Sequence, residues 1–410
     1  MTDLSVEVVV QMRGEDVPTG TLWAHRRRGA ESATFIYRDD YLARPGAYEL
    51  DPSLPLHTGQ HQTPGARATF GAFSDCAPDG WGRRLIARNE RARTKRTGGA
   101  ERSFGEMEYL LGARDDARQG ALRFRTAPDA PFLAQESQGV PPLIQLPTLL
   151  GAADRLDRDE AGEEELQILL RGGSSLGGAR PKAHVIDGDG NLAIAKFPSP
   201  SNDEWDVMRW EAVALQLAGD AGIRVPRWSL EVVDDKPVLL VSRFDRNDDW
   251  RIGYVSAMTM LELDDGDHGS YLDIGEAIER SSPQTGDDLR ELWRRIVFTV
   301  LISNTDNHLR NHGFLRTGRE GWTLSPAFDL NPNPDPGRAA LSTSITGADD
   351  DASLESALEI AGVFGLRPPE TDTILAEVRA ATAKWRVVAK ALGIPSPEID
   401  RMAPAFSMSD

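Results

Sequence analysis

The first part of the chain alternates apolar and polar residues with the two-residue period of β-strands. This alternation predicts strands over Val6–Met12, Thr21–His25, Ala33–Tyr37 and Ala121–Arg125. Apolar residues at helical spacing predict helices around Gly80–Thr94 and Gly105–Leu111. We therefore expect a β-rich N-terminal subdomain over residues 1–127, which ends before the segment Pro128–Pro131.

The middle of the chain mixes strand and helix patterns. Lys182–Ile186 and Leu192–Lys196 alternate around a turn rich in Gly, Asp and Asn, and this predicts a β-hairpin. An amphipathic helix with an acidic start is predicted over Asp203–Leu217, and further strands over Arg227–Val233 and Pro237–Val241. We expect a mixed α/β domain over residues 128–245.

The last part of the chain is mainly helical. The apolar spacing predicts helices over Ala257–Leu263, Ile274–Arg280, Leu289–Ile302, Leu354–Val363 and Thr371–Leu392. Two short strands are predicted at Gly313–Leu315 and Trp322–Leu324. A helical domain over residues 246–410 would complete an α+β protein.

Bulk properties are those of a cytoplasmic protein. Cys76 is the only cysteine among 410 residues, so no disulfide within the chain can form and a reducing compartment is expected. The first residues lack a basic start and a signal core, and no apolar run reaches about 18 residues. We expect a soluble, cytoplasmic protein with no membrane association.

The charge distribution is uneven. A formal net charge of −18 argues against general affinity for nucleic acid, because the overall field repels phosphates. Residues 83–102 are nevertheless strongly basic. This segment is interpreted either as a helix with one solvated face or as a local patch that touches DNA or an acidic partner.

The run Ser303–Asn311, followed by Asp329, carries the candidate chemistry. Phosphoryl transfer needs metal ions that bridge the phosphates and one carboxylate beside the acceptor hydroxyl. Asn311 and Asp329 offer the oxygen ligands that Mg²⁺ prefers, and Asp306 is the candidate base. The alternative is that the Asn and Asp residues here only form a loop, as they do in many turns.

Two upstream regions fit a nucleotide site. A strand lysine, Lys196, precedes a helix glutamate, Glu211, as in the kinase pair that orients a lysine toward the α- and β-phosphates. Taken singly, they could be a solvated strand end and a surface helix charge. The segment Ser242–Arg246 lies where a hinge between lobes is expected, with Asp245 available to a ribose or a metal, although an ordinary strand exit is an equal alternative.

A glycine-rich segment, Arg171–Lys182, precedes the predicted hairpin. Its four glycines and two serines would let backbone N–H groups approach phosphate oxygens without obstruction by Cβ atoms. The segment lacks the order of a Walker loop, and a flexible linker is the alternative.

Together these motifs resemble the HipA family of bacterial serine/threonine kinases. The resemblance rests on the glycine-rich loop that ends in Lys182, the Ile194–Pro198 strand, the Arg243–Arg246 hinge, the Asn304–Asn311 loop and the Pro326–Leu330 segment. Phe73–Leu85 also resembles the family's N-terminal turn Pro-Asp-Gly-Trp-Gly, which opens a helix. The similarity runs from the first strands to about Pro332.

The resemblance implies a two-lobed protein-kinase-like fold and a set of site residues. Asp306 would be catalytic, Asn311 and Asp329 would hold magnesium, and Ser175 would be autophosphorylated. The nucleotide would be bound by Ser174, Ser175, Lys182, Lys196, Glu211, Arg243, Phe244, Asp245, His308, Asn311 and Asp329. This chain departs from the family pattern in Ser242, in Arg180–Pro181 and in Arg310, which bears on affinity more than on activity.

The resemblance also implies the biological role. The chain would be an ATP- and Mg²⁺-dependent toxin that phosphorylates a translation component such as an aminoacyl-tRNA synthetase. Its partner would be a small helix-turn-helix antitoxin of the HipB type, through which it would reach DNA only indirectly. Two rival classes remain, a small-molecule kinase of similar fold and a non-catalytic corepressor module.

Overall fold

We describe the protein from a computed structural model, over residues 4–27, 29–98, 103–135, 139–173, 180–247, 250–318, 320–335, 340–347 and 351–408. Within these residues the strands are β1 Leu4–Met12, β2 Glu15–Arg27, β3 Ala30–Tyr37, β4 His61–Gln62, β5 Leu122–Arg125, β6 Lys182–Ile186, β7 Leu192–Lys196, β8 Trp228–Val233, β9 Lys236–Ser242, β10 Arg246–Asn247, β11 Trp250–Arg251, β12 Gly253–Ser256, β13 Gly313–Arg316 and β14 Thr323–Leu324. The α-helices are α1 Asp39–Leu42, α2 Gly71–Asp75, α3 Gly80–Thr97, α4 Glu106–Gly112, α5 Leu146–Asp157, α6 Glu163–Arg171, α7 Val207–Asp220, α8 Ala257–Met260, α9 Tyr271–Ser281, α10 Thr285–Leu301, α11 Leu354–Glu359, α12 Pro368–Thr382, α13 Trp385–Ala391 and α14 Ser396–Met402.

These elements group into two compact units. Unit 1 comprises Met1–Asn202, Val233–Lys236 and Leu240–Val255, and unit 2 comprises Asp203–Val232, Pro237–Leu239 and Ser256–Asp410. The division places the predicted N-terminal subdomain and most of the predicted middle domain in one unit. The three-domain organisation remains a prediction.

Unit 1 begins with a five-stranded sheet in the order β4-β3-β2-β1-β5. Its described pairings are antiparallel, and β1 pairs with both β2 and β5. β1 lies inside the sheet, and its residues 6–10 are all buried. A strand of a sheet with one face in water would bury only alternate residues. Aromatic rings of Phe35, Phe73 and Phe124 pack edge to face beneath the sheet.

The predicted hairpin is confirmed in unit 1. β6 and β7 pair antiparallel from Lys182 opposite Lys196 to Ile186 opposite Leu192. The end of β9 lies beside this hairpin, because the Arg243 N–H donates to the Leu192 carbonyl oxygen over 3.0 Å. The chain around Arg243 is therefore anchored to the hairpin.

The helices α5 and α6 of unit 1 were not predicted. The acidic stretch 154–165 holds the last turn of α5 and the first turn of α6. The helices bury Leu149, Leu156, Leu166 and Leu169. Acidic residues favour the first turn of a helix because of its dipole, so α6 begins where the carboxylates cluster.

Unit 2 is built around α10, which buries Leu292, Trp293, Ile296 and Val300. The neighbouring helix α7 begins at Val207, four residues later than predicted, because the Asp206 side chain caps it by accepting from the Arg209 N–H over 3.0 Å. The N-terminal turn of α7 therefore starts at a specific capping residue rather than at the first acidic residue.

The predicted helix Thr371–Leu392 is wrong in one respect, since the chain turns after Thr382 and forms α12 and α13. The turn directs Trp385 inward, where its ring stacks on Phe406 with centroids 4.6 Å apart. Helical periodicity does not reveal such a break, because burial of Trp385 depends on a residue far along the chain.

Among the residues that the structure describes, every helix is too short or too polar to span a membrane.

Candidate active site

The loop after α10 places Asp306 at the surface of unit 2. Asp306 is exposed, while its neighbours Asn304, Thr305 and Asn307 are buried. Within the part of the chain that the structure describes, the Asp306 carboxylate makes no hydrogen bond or ion pair. A carboxylate with this freedom can accept a proton from an incoming hydroxyl group.

The buried residues of this loop fasten it to distant segments. Asn307 Nδ2 donates to the Tyr271 hydroxyl over 2.8 Å, and Thr343 Oγ1 donates to the Asn307 carbonyl oxygen over 2.8 Å. On the other side of Asp306, Asn333 Nδ2 donates to Thr305 Oγ1 over 2.8 Å. These long-range bonds go beyond the local turn bonds of an ordinary Asn- and Asp-rich loop.

Asn311 is oriented toward the same loop. Its Nδ2 donates to the Asp306 carbonyl oxygen over 3.2 Å, which leaves its amide oxygen as an acceptor. Asn311 and Phe328 line one small cavity, so the amide lies close to the segment that carries Asp329. Asp329 has a left-handed backbone with φ +57°. Such a conformation is uncommon for a residue with a side chain and often marks a functional position.

The donor set of these two side chains fits a hard cation. An amide oxygen and a carboxylate are the ligands that Mg²⁺ accepts, usually with water and phosphate oxygens in its remaining positions. Asn311 and Asp329 could therefore hold Mg²⁺ together with a nucleotide.

Two histidines accompany the loop. His308 is half-buried, and its backbone N–H donates to the Asp306 carbonyl oxygen over 2.9 Å. Burial lowers the pKa of His312 to about 3, and the positive charge of Arg295 adds to the effect. His312 is therefore neutral at physiological pH and contributes packing and hydrogen bonding rather than charge.

In unit 1 the two candidate lysines are cross-strand partners. Lys182 and Lys196 lie opposite each other in the hairpin, on one face of it. Lys182 is buried and its Nζ lies 2.8 Å from the Asp79 carboxylate, so its charge is paired within the protein. The indole N–H of Trp81 also donates to the Lys182 carbonyl oxygen over 3.1 Å.

This arrangement gives the N-terminal turn Pro78–Gly82 a structural task. Asp79 caps α3 by accepting from the Gly82 N–H over 2.7 Å and pairs with Lys182 at the same time. Burial raises the pKa of the Asp79 carboxyl, while the charge of Lys182 opposes that shift. The turn therefore holds the start of β6.

Asp245 lies in a buried ion-pair network instead of an open position. It is 1% exposed, and its carboxylate accepts from Arg243, Arg246 and the Gly120 N–H at 2.5–2.9 Å. Burial alone would raise the pKa of Asp245, but the two arginines outweigh burial and hold the pKa well below its usual value. This geometry favours a structural role for Asp245 over contact with a ribose or a metal, and it occupies Arg243 within the protein.

The remaining predicted positions are placed only in part. Phe244 is half-buried, with its ring 6.3 Å from that of Tyr254. Glu211 is buried on α7 in unit 2, while Lys196 belongs to unit 1, and their pairing remains a prediction. Ser174 and Ser175 lie outside the described residues.

At least half of the basic residues in the segment 83–102 form ion pairs within unit 1. Its ion pairs join Arg83 to Glu106, Arg88 to Asp159, Arg93 to Glu90 and Arg96 to Glu163. Internal pairing of this kind favours the interpretation as a helix face over a DNA-binding patch.

Sequence reasoning missed the residues that position the predicted ones. His184 is buried in β6, and a histidine between the apolar residues Ala183 and Val185 was the available signal. Asn304 and Asn307 were treated only as members of a loop motif. Their burial depends on partners far along the chain, which no local pattern reveals.

The sequence is similar to proteins that are named as kinases. The chain is 30% identical over 161 residues to "Putative kinase Y4dM" of Sinorhizobium fredii, a match that covers 35% of this chain and 38% of the relative. It is 27% identical over 196 residues to "Putative kinase Y4mE" of the same organism, covering 42% and 43%. The matched part of this chain thus spans less than half the length of either relative.

A solved structure matches nearly the whole chain. HipA from the Shewanella oneidensis MR-1 toxin–antitoxin complex of HipA, HipB and operator DNA superposes with a TM-score of 0.70. The match covers 98% of this chain and 95% of that chain, at 15% sequence identity. This likeness confirms the predicted α+β, kinase-like fold.

Two family models match the sequence itself. The HipA N-terminal domain matches residues 10–105, and the HipA-like C-terminal domain matches residues 174–385, which is more than half of the chain. The protein therefore belongs to the HipA family.

Proposed function

We propose that this protein is an ATP- and Mg²⁺-dependent kinase that phosphorylates serine or threonine residues of a protein. The observation that carries the proposal is the exposed, unpaired carboxylate of Asp306 on a loop whose neighbouring side chains are anchored. Membership of the HipA family and the kinase names of the relatives support it.

The proposed reaction moves the γ-phosphoryl group of ATP to a hydroxyl oxygen. The bond between the γ-phosphorus and the oxygen that bridges it to the β-phosphate breaks, a bond from phosphorus to the acceptor oxygen forms, and ADP leaves. Asp306 orients the hydroxyl and receives its proton. Bound Mg²⁺ would neutralise charge on the phosphate oxygens, and Asn311 and Asp329 would hold it.

The proposal extends to the nucleotide. Lys196 would bind the α- and β-phosphates and Glu211 would orient it. The glycine-rich segment that contains Ser174 and Ser175 would contact the phosphates through backbone N–H groups. A phosphate on Ser175 would add roughly two negative charges there and repel ATP, so autophosphorylation would switch the kinase off.

We also propose a toxin–antitoxin context. The matching solved structure contains HipA together with HipB and operator DNA. By analogy, this chain would bind a small helix-turn-helix antitoxin of the HipB type and reach DNA through it. Its substrate would be a translation component, such as an aminoacyl-tRNA synthetase.

The test is transfer of label from [γ-³²P]ATP by the purified protein, with Mg²⁺ and with the metal chelated. We expect Mg²⁺-dependent label on protein, recovered after acid hydrolysis as phosphoserine or phosphothreonine. ATP turnover without labelled protein would instead indicate a small-molecule kinase. Absence of both turnover and labelling would contradict the proposal and favour a corepressor module.

A further inference from the structure

The entry to the glycine-rich segment is packed against β6 in unit 1. Gly172 and Gly173 directly precede the residues that would contact phosphate. A Cβ atom on Gly172 would lie 2.7 Å from the Cβ of Ala183, and one on Gly173 would lie 2.7 Å from His184 Nδ1. Gly173 also has a φ of +79°. Both glycines are therefore required by close packing, apart from any approach of phosphate.

His184 holds this entry with two donors. Its backbone N–H donates to the Gly172 carbonyl oxygen over 2.5 Å, and its Nδ1 lies 3.0 Å from the same oxygen. A carbonyl oxygen can only accept, so Nδ1 carries the proton and Nε2 is the acceptor of this ring. Burial, followed by the charge of Arg243, lowers the pKa of His184 well below its usual value and keeps the ring neutral.

The acceptor nitrogen of His184 faces Arg243. Arg243 Nη1 lies 2.8 Å from His184 Nε2 and also donates to the Ala117 carbonyl oxygen over 3.0 Å. The same guanidinium binds Asp245, which in turn accepts from the Gly120 N–H over 2.7 Å. A continuous chain of hydrogen bonds thus runs from the 117–120 segment through the 243–245 segment to Gly172.

We propose that His184 is a positioning residue, which transmits the location of Arg243 to the entry of the glycine-rich segment and so sets the affinity for the nucleotide phosphates. The inference rests on the proposed kinase function and names a residue outside the predicted site. His184 touches neither the nucleotide nor the acceptor in this scheme, because it is 2% exposed and its ring nitrogens face Gly172 and Arg243.

A positioning role makes a specific kinetic prediction. Displacing the phosphate-binding segment should weaken nucleotide binding, whereas the Asp306 loop, which belongs to unit 2, should be unaffected. We therefore expect His184→Phe to raise the KM for ATP about tenfold or more, with kcat at saturating ATP changed less than about threefold. The variant should still fold, because residue 184 keeps the hydrogen bond from its backbone N–H to Gly172. Arg243 also keeps its hydrogen bonds to Asp245 and to the Ala117 carbonyl oxygen.

Two further variants separate positioning from general stability. His184→Asn retains a side-chain donor near the place of Nδ1 and should recover most of the lost affinity. His61→Phe is the matched control, since His61 is also buried in unit 1 but lies in the N-terminal sheet. It should leave the KM for ATP unchanged even if it lowers the melting temperature as much as His184→Phe does.

A second measurement does not depend on activity. Amide hydrogen exchange of peptides within Leu166–Gly173, without nucleotide, should speed up in His184→Phe and not in His61→Phe. Unchanged exchange in this region, or an unchanged KM for ATP in an active His184→Phe enzyme, would overturn the inference. An inactive wild-type protein would overturn the kinase proposal instead, while faster exchange would still place His184 as the anchor of the loop.

Discussion

Asp306, the predicted catalytic residue, and Asp245, a predicted nucleotide-binding residue, have opposite surroundings in the structure. Asp306 is exposed and unpaired among the described residues, on a loop held by neutral amides and hydroxyl groups. Asp245 is buried and bound by Arg243 and Arg246. A reactive carboxylate must be accessible to its substrate. A carboxylate that stabilises a turn must instead accept hydrogen bonds from the protein.

The supports of the two residues differ for a physical reason. The Asn311 amide and the His308 backbone N–H donate to the carbonyl oxygen of Asp306 and not to its carboxylate. The carboxylate therefore remains available. Arginines beside Asp245 balance a charge that burial would otherwise make costly. The charge of the flanking residues, more than the aspartate itself, distinguishes a chemical from a structural role.

The largest effect is expected from Asp329→Asn. Asparagine tolerates the left-handed backbone at this position, so the fold should be kept while the negative charge of the proposed metal ligand is lost. We expect phosphoryl transfer to fall by about 10²-fold or more, with part of the loss recovered at high Mg²⁺. Steady-state turnover across a Mg²⁺ titration measures it, and wild-type rates at low Mg²⁺ would contradict the metal assignment.

Asp245→Asn should act on stability instead. It leaves Arg243 and Arg246 buried with a neutral partner, and disruption of a buried ion pair typically costs about 3–5 kcal/mol. Urea unfolding should therefore show a lower midpoint for this variant. A midpoint equal to that of the wild type would mean that the network contributes little, and would reopen a ligand role for Asp245.

The buried histidines predict an acid-sensitive fold. His312 has a folded pKa of about 3, below the value of about 6.5 in an unfolded chain. The unfolded state therefore binds more protons between these values, and stability falls as the pH is lowered from about 6.5 toward 3. The pKa of His184 is also lowered in the folded protein, so His184 contributes to the acid sensitivity as well. His312→Asn should therefore remove only part of the dependence of stability on pH.

Unfolding free energies of the wild type and His312→Asn at about pH 7, 6 and 5 test this prediction. One group of this kind can change the slope by at most about 1.4 kcal/mol per pH unit. Identical slopes for the two proteins would exclude His312 as a source of the acid sensitivity.

The smallest effect is expected from Arg96→Gln. Arg96 pairs with Glu163, but both side chains are largely exposed, at 62% and 42%. Exposed pairs contribute roughly 0–1 kcal/mol, so the unfolding midpoint should barely move. A loss as large as that of Asp245→Asn would show that exposure does not separate the two kinds of ion pair.

Local pattern was sufficient for parts of the fold. The alternation on both sides of the Asp187–Asn191 turn predicted the hairpin with the bounds that the structure shows. The helices Leu146–Asp157 and Glu163–Arg171 were not predicted, although three glutamates mark the first turn of the second one.

The candidate site was less accessible to sequence reasoning. The motif located Asp306 in a loop directly after a buried helix, and the structure places it there. Arg243 and Arg246 stand beside Asp245 in the sequence, but the third donor to its carboxylate, the Gly120 N–H, is 125 residues distant along the chain and could not be foreseen. The role of Lys182 depends in the same way on Asp79, 103 residues away.

In the proposed mechanism Asp306 receives the proton of the acceptor hydroxyl, whereas Asp245 stabilises the fold. The most direct measurement compares Asp306→Asn with Asp245→Asn, recording turnover of ATP into phosphoprotein and the urea midpoint of each. We predict that Asp306→Asn loses turnover by about 10²-fold or more at a wild-type midpoint, while Asp245→Asn loses stability and keeps turnover within about tenfold where it is folded. Near-normal turnover in Asp306→Asn would contradict the account.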